Sequence, residues 1–96
     1  MGRASRQQVN VNVTGGDTLL VGPNLKRIGL IIGSPKVSDV WLNFVGAGQV
    51  GAGIVLHPGT VPLVLYQALL GDALVEEIHA ISAGQAEIIG VLEFLR

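Results

Sequence analysis

The residues of this chain that could do chemistry are few and far apart. Gly46-Ala47-Gly48-Gln49-Val50-Gly51 has the spacing of a G-x-G-x-x-G phosphate loop. Such a loop cradles a dinucleotide when a helix follows, because the helix N-terminus then meets the pyrophosphate. Here Gly53-Ile54-Val55-Leu56-His57-Pro58 follows, an extended run stopped by proline. In a chain with 14 glycines such spacings arise by chance. The stretch predicts a loop between strands and no cofactor.

The two histidines stand apart, His57 at a Pro58-Gly59 turn and His79 between Ile78 and Ala80 in an extended run. A metal site needs three or four ligands in fixed geometry, and the chain has no cysteine and no His-x-His pair to complete one. Glu76 and Glu77 are adjacent, so in extended chain they face opposite ways and cannot act as a carboxylate pair. Asp17 and Asp39 fall at a turn and a strand start. Ser5, Ser34, Ser38 and Ser82 lie in arm, turn or strand without the pattern of a nucleophile elbow. The expectation is a protein that is not an enzyme and holds neither metal nor cofactor. Six basic residues among seven acids make no basic patch, and the four aromatics are not interleaved with cations, so nucleic acid is not expected as a partner. Trp41 is the strongest candidate for a sugar platform. Its place in an alternating strand predicts core or interface packing instead.

Behind these residues lies a succession of short extended runs. Residues 1–7 predict a flexible N-terminal arm, and residues 8–96 a single domain. Gln8 to Val13 alternates, three valines against two asparagines. Thr18–Val21 and Lys26–Ile32 follow, separated by Gly22-Pro23-Asn24. Val37–Val45 alternates in turn, and the four-residue punctuation Gly33-Ser34-Pro35-Lys36 predicts that it forms a hairpin with the run before it. After the glycine-rich loop come a short strand at 53–56 and a run at 61–66, which Pro62 marks as an edge. The segment 66–77 fits either a helical turn or a loop. Strands at 77–82 and 86–95 close the chain. Seven to nine short strands with regular turn signals predict an all-β fold, a single antiparallel β-sandwich of jelly-roll or β-tulip type.

The last strand, Ala86 to Leu95, is apolar on both faces. Ile88, Leu92 and Phe94 share one, and Ile89, Val91 and Leu95 the other. A strand of that kind is covered on both sides. One cover is the domain's own core, and the other is expected from an oligomer or partner, with Ile89, Val91 and Leu95 as the interface candidates. Oligomerisation also suits a small chain without disulfides, and one whose charged fraction of 14% is well below the usual ~25%. Charge is polarised along the chain. Residues 1–36 hold five cations against Asp17, and residues 37–96 hold six acids against Arg96. Arg3 and Arg6 in the arm have no nearby acid and are candidates for contact with an acidic partner. No stretch predicts a signal peptide or a membrane span, so the chain is expected in a bacterial cytoplasm when made.

Three stretches carry a resemblance. Lys26-Arg27-Ile28-Gly29-Leu30-Ile31-Ile32, Asp39-Val40-Trp41-Leu42-Asn43-Phe44, and Gly53-Ile54-Val55-Leu56-His57-Pro58-Gly59 with the later Ile78-His79-Ala80-Ile81-Ser82-Ala83-Gly84 together resemble small tailed-phage virion proteins that decorate or cement the capsid, and related head-fibre modules. The resemblance spans roughly residues 25 to 95. It implies a β-sandwich or β-tulip domain, commonly a homotrimer, seated on the outer capsid surface of the virion with the major capsid protein as partner. It implies no cofactor and no catalysis. Two other classes fit the same residues: a host-attachment or carbohydrate-binding module, which would expose Trp41 and Tyr66 together, and a non-viral shell or scaffold subunit.

Overall fold

A computed structural model describes residues 5–66 and 71–96. Eight strands form in chain order: β1 (Ser5–Val13), β2 (Thr18–Val21), β3 (Arg27–Ile32), β4 (Val40–Asn43), β5 (Ile54–Leu56), β6 (Leu63–Tyr66), β7 (Ile78–Ser82) and β8 (Glu87–Leu95). They make two four-stranded sheets, ordered β1-β8-β3-β6 and β2-β7-β4-β5, in which every pairing is antiparallel. The pairs β1–β8, β2–β7, β3–β6 and β4–β5 are symmetric about the middle of the chain. The molecule is one long hairpin with its tip between β4 and β5, rolled so that β8 also meets β3 and β7 also meets β4. That is the jelly roll, the first of the two sandwich types expected.

Binary patterning selects the inner faces. In β4, Val40 and Leu42 are fully buried while Trp41 and Asn43 face out. In β7, Ile78, Ala80 and Ser82 face in and His79 and Ile81 out. The core consists of Val13, Leu20, Val21, Leu30, Ile32, Val40, Leu42, Leu56, Leu65, Ile78, Ala80, Ile89 and Val91, with Leu74 of a 3₁₀ turn (Gly71–Val75) closing one end. The segment left open between helix and loop is thus a single 3₁₀ turn over its described part. Residues 67–70 lie outside the described residues.

Three expectations are corrected. The predicted arm does not extend to residue 7, because Ser5, Arg6 and Gln7 pair with Leu95, Phe94 and Glu93 as the first rungs of β1. Residues 1–4 lie outside the described residues. β3 and β4 are not a hairpin but belong to different sheets. The crossing is fixed by Glu87, whose carboxylate accepts the backbone N–H groups of Lys36 (2.8 Å), Val37 (3.2 Å) and Ser38 (2.8 Å). Three donors converging on one buried carboxylate hold residues 36–38 in the turn that carries the chain between sheets. β3 also lacks the simple alternation of its sequence. Its register on β8 shifts between Arg27 and Gly29, a bulge that turns Arg27 inward to the same side as Leu30 and Ile32.

Candidate functional site

Each charged cluster is tied into the architecture. Arg27, 1% exposed, donates from Nε to Glu93 at 2.8 Å and from its terminal nitrogens to the carbonyls of Leu74, Glu76 and Gly22. It clasps the 3₁₀ turn and the β2–β3 connection to β8. His79 donates from Nδ1 to Asp17 at 2.9 Å and sets Nε2 3.3 Å from Glu77. Burial of the ring opposes protonation, but the hydrogen bonds and charges of the two carboxylates outweigh it and hold the imidazole above its ordinary pKa. The Gly48 N–H, ahead of His79, holds Asp17 below the usual carboxylate range. Both ring nitrogens of His79 are engaged, so neither is free to take a proton from a substrate. His57 pairs with Asp39 at 2.9 Å at the surface. Among the described residues no group of three or more His, Asp or Glu is arranged to hold a metal ion.

The phosphate-loop spacing has a structural explanation. The loop between β4 and β5 folds back so that Gly48 lies on the backbone of Ala80 in β7, where a Cβ would stand 3.0 Å from the Ala80 carbonyl. Gly53 has φ +92 and approaches Leu42 so closely that a Cβ would sit 2.0 Å from its carbonyl oxygen. The glycines serve loop closure, and β5 follows them in place of a helix.

What remains unpartnered is the outer face of the first sheet. The register sets its rows. Asn12 stands beside Ile88. Asn10 stands beside Gly90. Gln8, Leu92, Ile31 and Val64 form the central row, and Arg6, Phe94, Gly29 and Tyr66 the next. Val64, Tyr66 and Ile88 are each at least half exposed, and Leu92, Ile31 and Phe94 partly so. Phe94 lies over Gly29, within 3.4 Å of where a Cβ would be, which fills the gap the glycine leaves in the sheet surface. Gly90 and Gly33 leave bare backbone beside the central row. Gln8, Leu92, Ile31 and Pro62 rim the resulting open groove of about 210 Å³. Arg6 is the charged side chain on these rows.

The interface candidates are therefore redistributed. Ile89, Val91 and Leu95 point into their own sandwich at 0%, 1% and 7% exposure, because Ile89 and Val91 stand opposite the core-facing valines Val11 and Val9 of β1. The outward-facing set of the last strand is the other one, Ile88, Leu92 and Phe94. Arg6 stays at the surface on the corner row beside Phe94. Arg3 lies outside the described residues. Trp41 is half-buried on the outer face of the second sheet, in a row with Ile81 and Val55. Tyr66 is on the opposite face of the molecule, so the two aromatics do not form a common platform. Arg27 and Glu87 were missed as structural ions. Nothing in the sequence sets Arg27 apart from its neighbour Lys26, or Glu87 from the other acids.

One likeness bears on this geometry. Over 97% of its length the chain superposes on a chain from Bacillus endospore appendages, described as a novel family of disulfide-linked pili, covering 87% of that chain with a TM-score of 0.54 and 12% identity. At that identity the likeness is one of fold. No family model matches the sequence, and no curated protein does. The 96 residues contain no cysteine, so the disulfide linkage described for those pili has no counterpart within them. The small β fold is thus one that also builds a fibrous assembly elsewhere.

Proposed function

We propose that this protein is a non-catalytic structural subunit that docks on a larger protein assembly through the outer face of its β1-β8-β3-β6 sheet, and that the assembly is the outer surface of a tailed-phage capsid, with the major capsid protein as partner. The observation that carries the docking role is the apolar surface Ile31, Val64, Tyr66, Ile88, Leu92 and Phe94 on one face of a fold whose buried ions, Arg27 and Glu87, are engaged within the domain. Contiguous apolar surface on a small protein marks an interaction site. The groove beside Gly90 offers a pocket of the kind in which a partner's anchor side chain is desolvated. The capsid as partner is supported by the strand-and-turn resemblance. Several copies on neighbouring capsid subunits would add weak contacts into avidity, and would stabilise the shell because they bind it only when assembled.

Adding purified protein to undecorated capsids and following co-sedimentation and thermal DNA release tests this. Saturable binding is expected, and its absence rejects the capsid role. Binding with an unchanged release temperature keeps decoration and rejects cementing. A second reading, a subunit of a self-assembling fibre or shell, is favoured by the pilus likeness. Polymer formed by the purified protein alone, without capsids, would select it.

A further inference from the structure

We infer that β1 is a self-association edge, on which a second copy of this chain adds its own β1 antiparallel about a two-fold axis. The four sheet edges of the sandwich are unequal. β5 has three residues. β6 has four and follows Pro62. β2 has four, with a register shift between Leu19 and Val21. Short strands, prolines and irregular registers are the devices that stop sheets from adding strands. β1 has none of them. It runs nine residues without proline or lysine, pairs with β8 in unbroken register from Ser5 to Val13, and among the described residues nothing pairs with its other edge. At ~3.4 Å per residue that leaves a straight edge about 30 Å long with alternate N–H and C=O groups unpaired.

The side chains of β1 suit a second copy. Arg6 is its one charge. In an antiparallel pairing centred on Val9 or Asn10 no arginine faces an arginine, Asn and Gln side chains meet on the outer face, and valines meet on the inner one. Val9 stands on the core side opposite Val91 yet is 47% exposed and lies outside the core cluster. The partner's inner-face residues would cover it. A two-fold axis through a continuous sheet stands perpendicular to it. Both outer apolar faces then lie on the same side of an eight-stranded sheet, with the two β8 strands about 14 Å apart. This consequence, a doubled docking face, rests on the function proposed above. The pairing itself does not.

Sedimentation velocity and hydrogen exchange across a concentration series test it. A monomer–dimer equilibrium is expected, with β1 amides gaining protection as concentration rises. Val9→Lys should raise the dimer Kd at least about tenfold, by placing like charges on facing rungs if the pairing is centred on Val9 and on diagonal rungs if it is centred on Asn10. Mixing it with Val9→Glu should restore the dimer, which a merely misfolded variant would not do. A monomer throughout, or exchange at β1 independent of concentration, overturns the proposal. Concentration-independent protection lost on deleting residues 1–4 would assign the edge to the chain's own N-terminus. Val64→Lys should leave the dimer intact while removing capsid binding, so failure of docking and failure of pairing are distinguishable.

Discussion

Two ionic residues hold the ends of this sandwich, and each acts through hydrogen bonds to backbone. Removing the Arg27 side chain would leave Glu93 and the carbonyls of Leu74, Glu76 and Gly22 without their donor in a nearly closed site. Breaking a buried pair from one side costs about 3–5 kcal/mol, against a total stability of about 5–15 kcal/mol for a domain. Arg27→Met should therefore shift the denaturant midpoint sharply, and Glu93→Gln, which keeps an acceptor, should shift it less. Glu87, Asp17 and His79 are the groups expected to shape the pH dependence of stability. The N–H groups of Lys36 and Ser38 foremost, against burial and with Val37 and the Lys36 charge assisting, hold Glu87 below its ordinary pKa. Its contribution is present above the unfolded value near ~4.3 and is lost as pH falls through the folded value. His79 runs the other way. Its contribution is complete below about 6.5 and fades as pH rises through the elevated folded value. Thermal melts across pH should show both limbs. Glu87→Gln should reduce the acid limb, leaving the part that Asp17 contributes, and His79→Gln should reduce the neutral one. Unchanged limbs in those variants would show that other groups set the profile.

At the scale of elements, most strands were legible and their partners were not. Alternation marked β1, β4 and β7 because hydrophobic and polar types differ between faces. It could not place β3 and β4 in separate sheets, since the deciding contact is Glu87, about fifty residues away in sequence. The last strand shows the same limit. Its two faces were identified, but both are aliphatic, and hydrophobicity alone does not say which one is inside. The register with β1 decides it: Val11 and Val9 face the core, so Ile89 and Val91 must as well. The glycine-rich loop was recognised as a loop, but its glycines are not interchangeable. Gly51 has φ +87 and open space around it, so Gly51→Ala should cost about 1 kcal/mol for the backbone conformation alone. Gly53→Ala adds a collision with the Leu42 carbonyl, which strand pairing between β4 and β5 does not let move. It should cost several times more and open that hairpin. Equal melting points for the two variants would contradict this account of the loop.

Taken whole, the molecule is a sandwich whose two outer faces differ. On the second sheet the Asp17–His79–Glu77 cluster sits at the β2–β7 end of the outer face beside the half-buried row of Trp41, Ile81 and Val55, and the loop carrying Gly48 packs down on β7. Among the described residues the first sheet has neither a loop nor a charged network over it, only the rows through Leu92 and Phe94. Charged substitutions on the last strand should separate the two faces functionally. Ile89→Glu places a carboxylate among Val11, Val13 and the rest of a fully buried core, with no partner to hold it. The cost of an unpaired buried charge exceeds what a marginally stable domain can absorb, so that variant should not fold. Ile88→Lys, one residue earlier, enters the outer row beside Asn12 at a position already 60% exposed. Its melting temperature should stay within a few degrees of the parent, since exposed substitutions shift stability by about 0.5 kcal/mol or less. Its effect should instead fall on attachment, because a lysine on the proposed docking surface would have to be desolvated there without a partner. Capsid binding is the measurement, with the circular dichroism melt as control. A folded Ile88→Lys protein that binds as tightly as the parent would remove the outer face of the first sheet from the docking site.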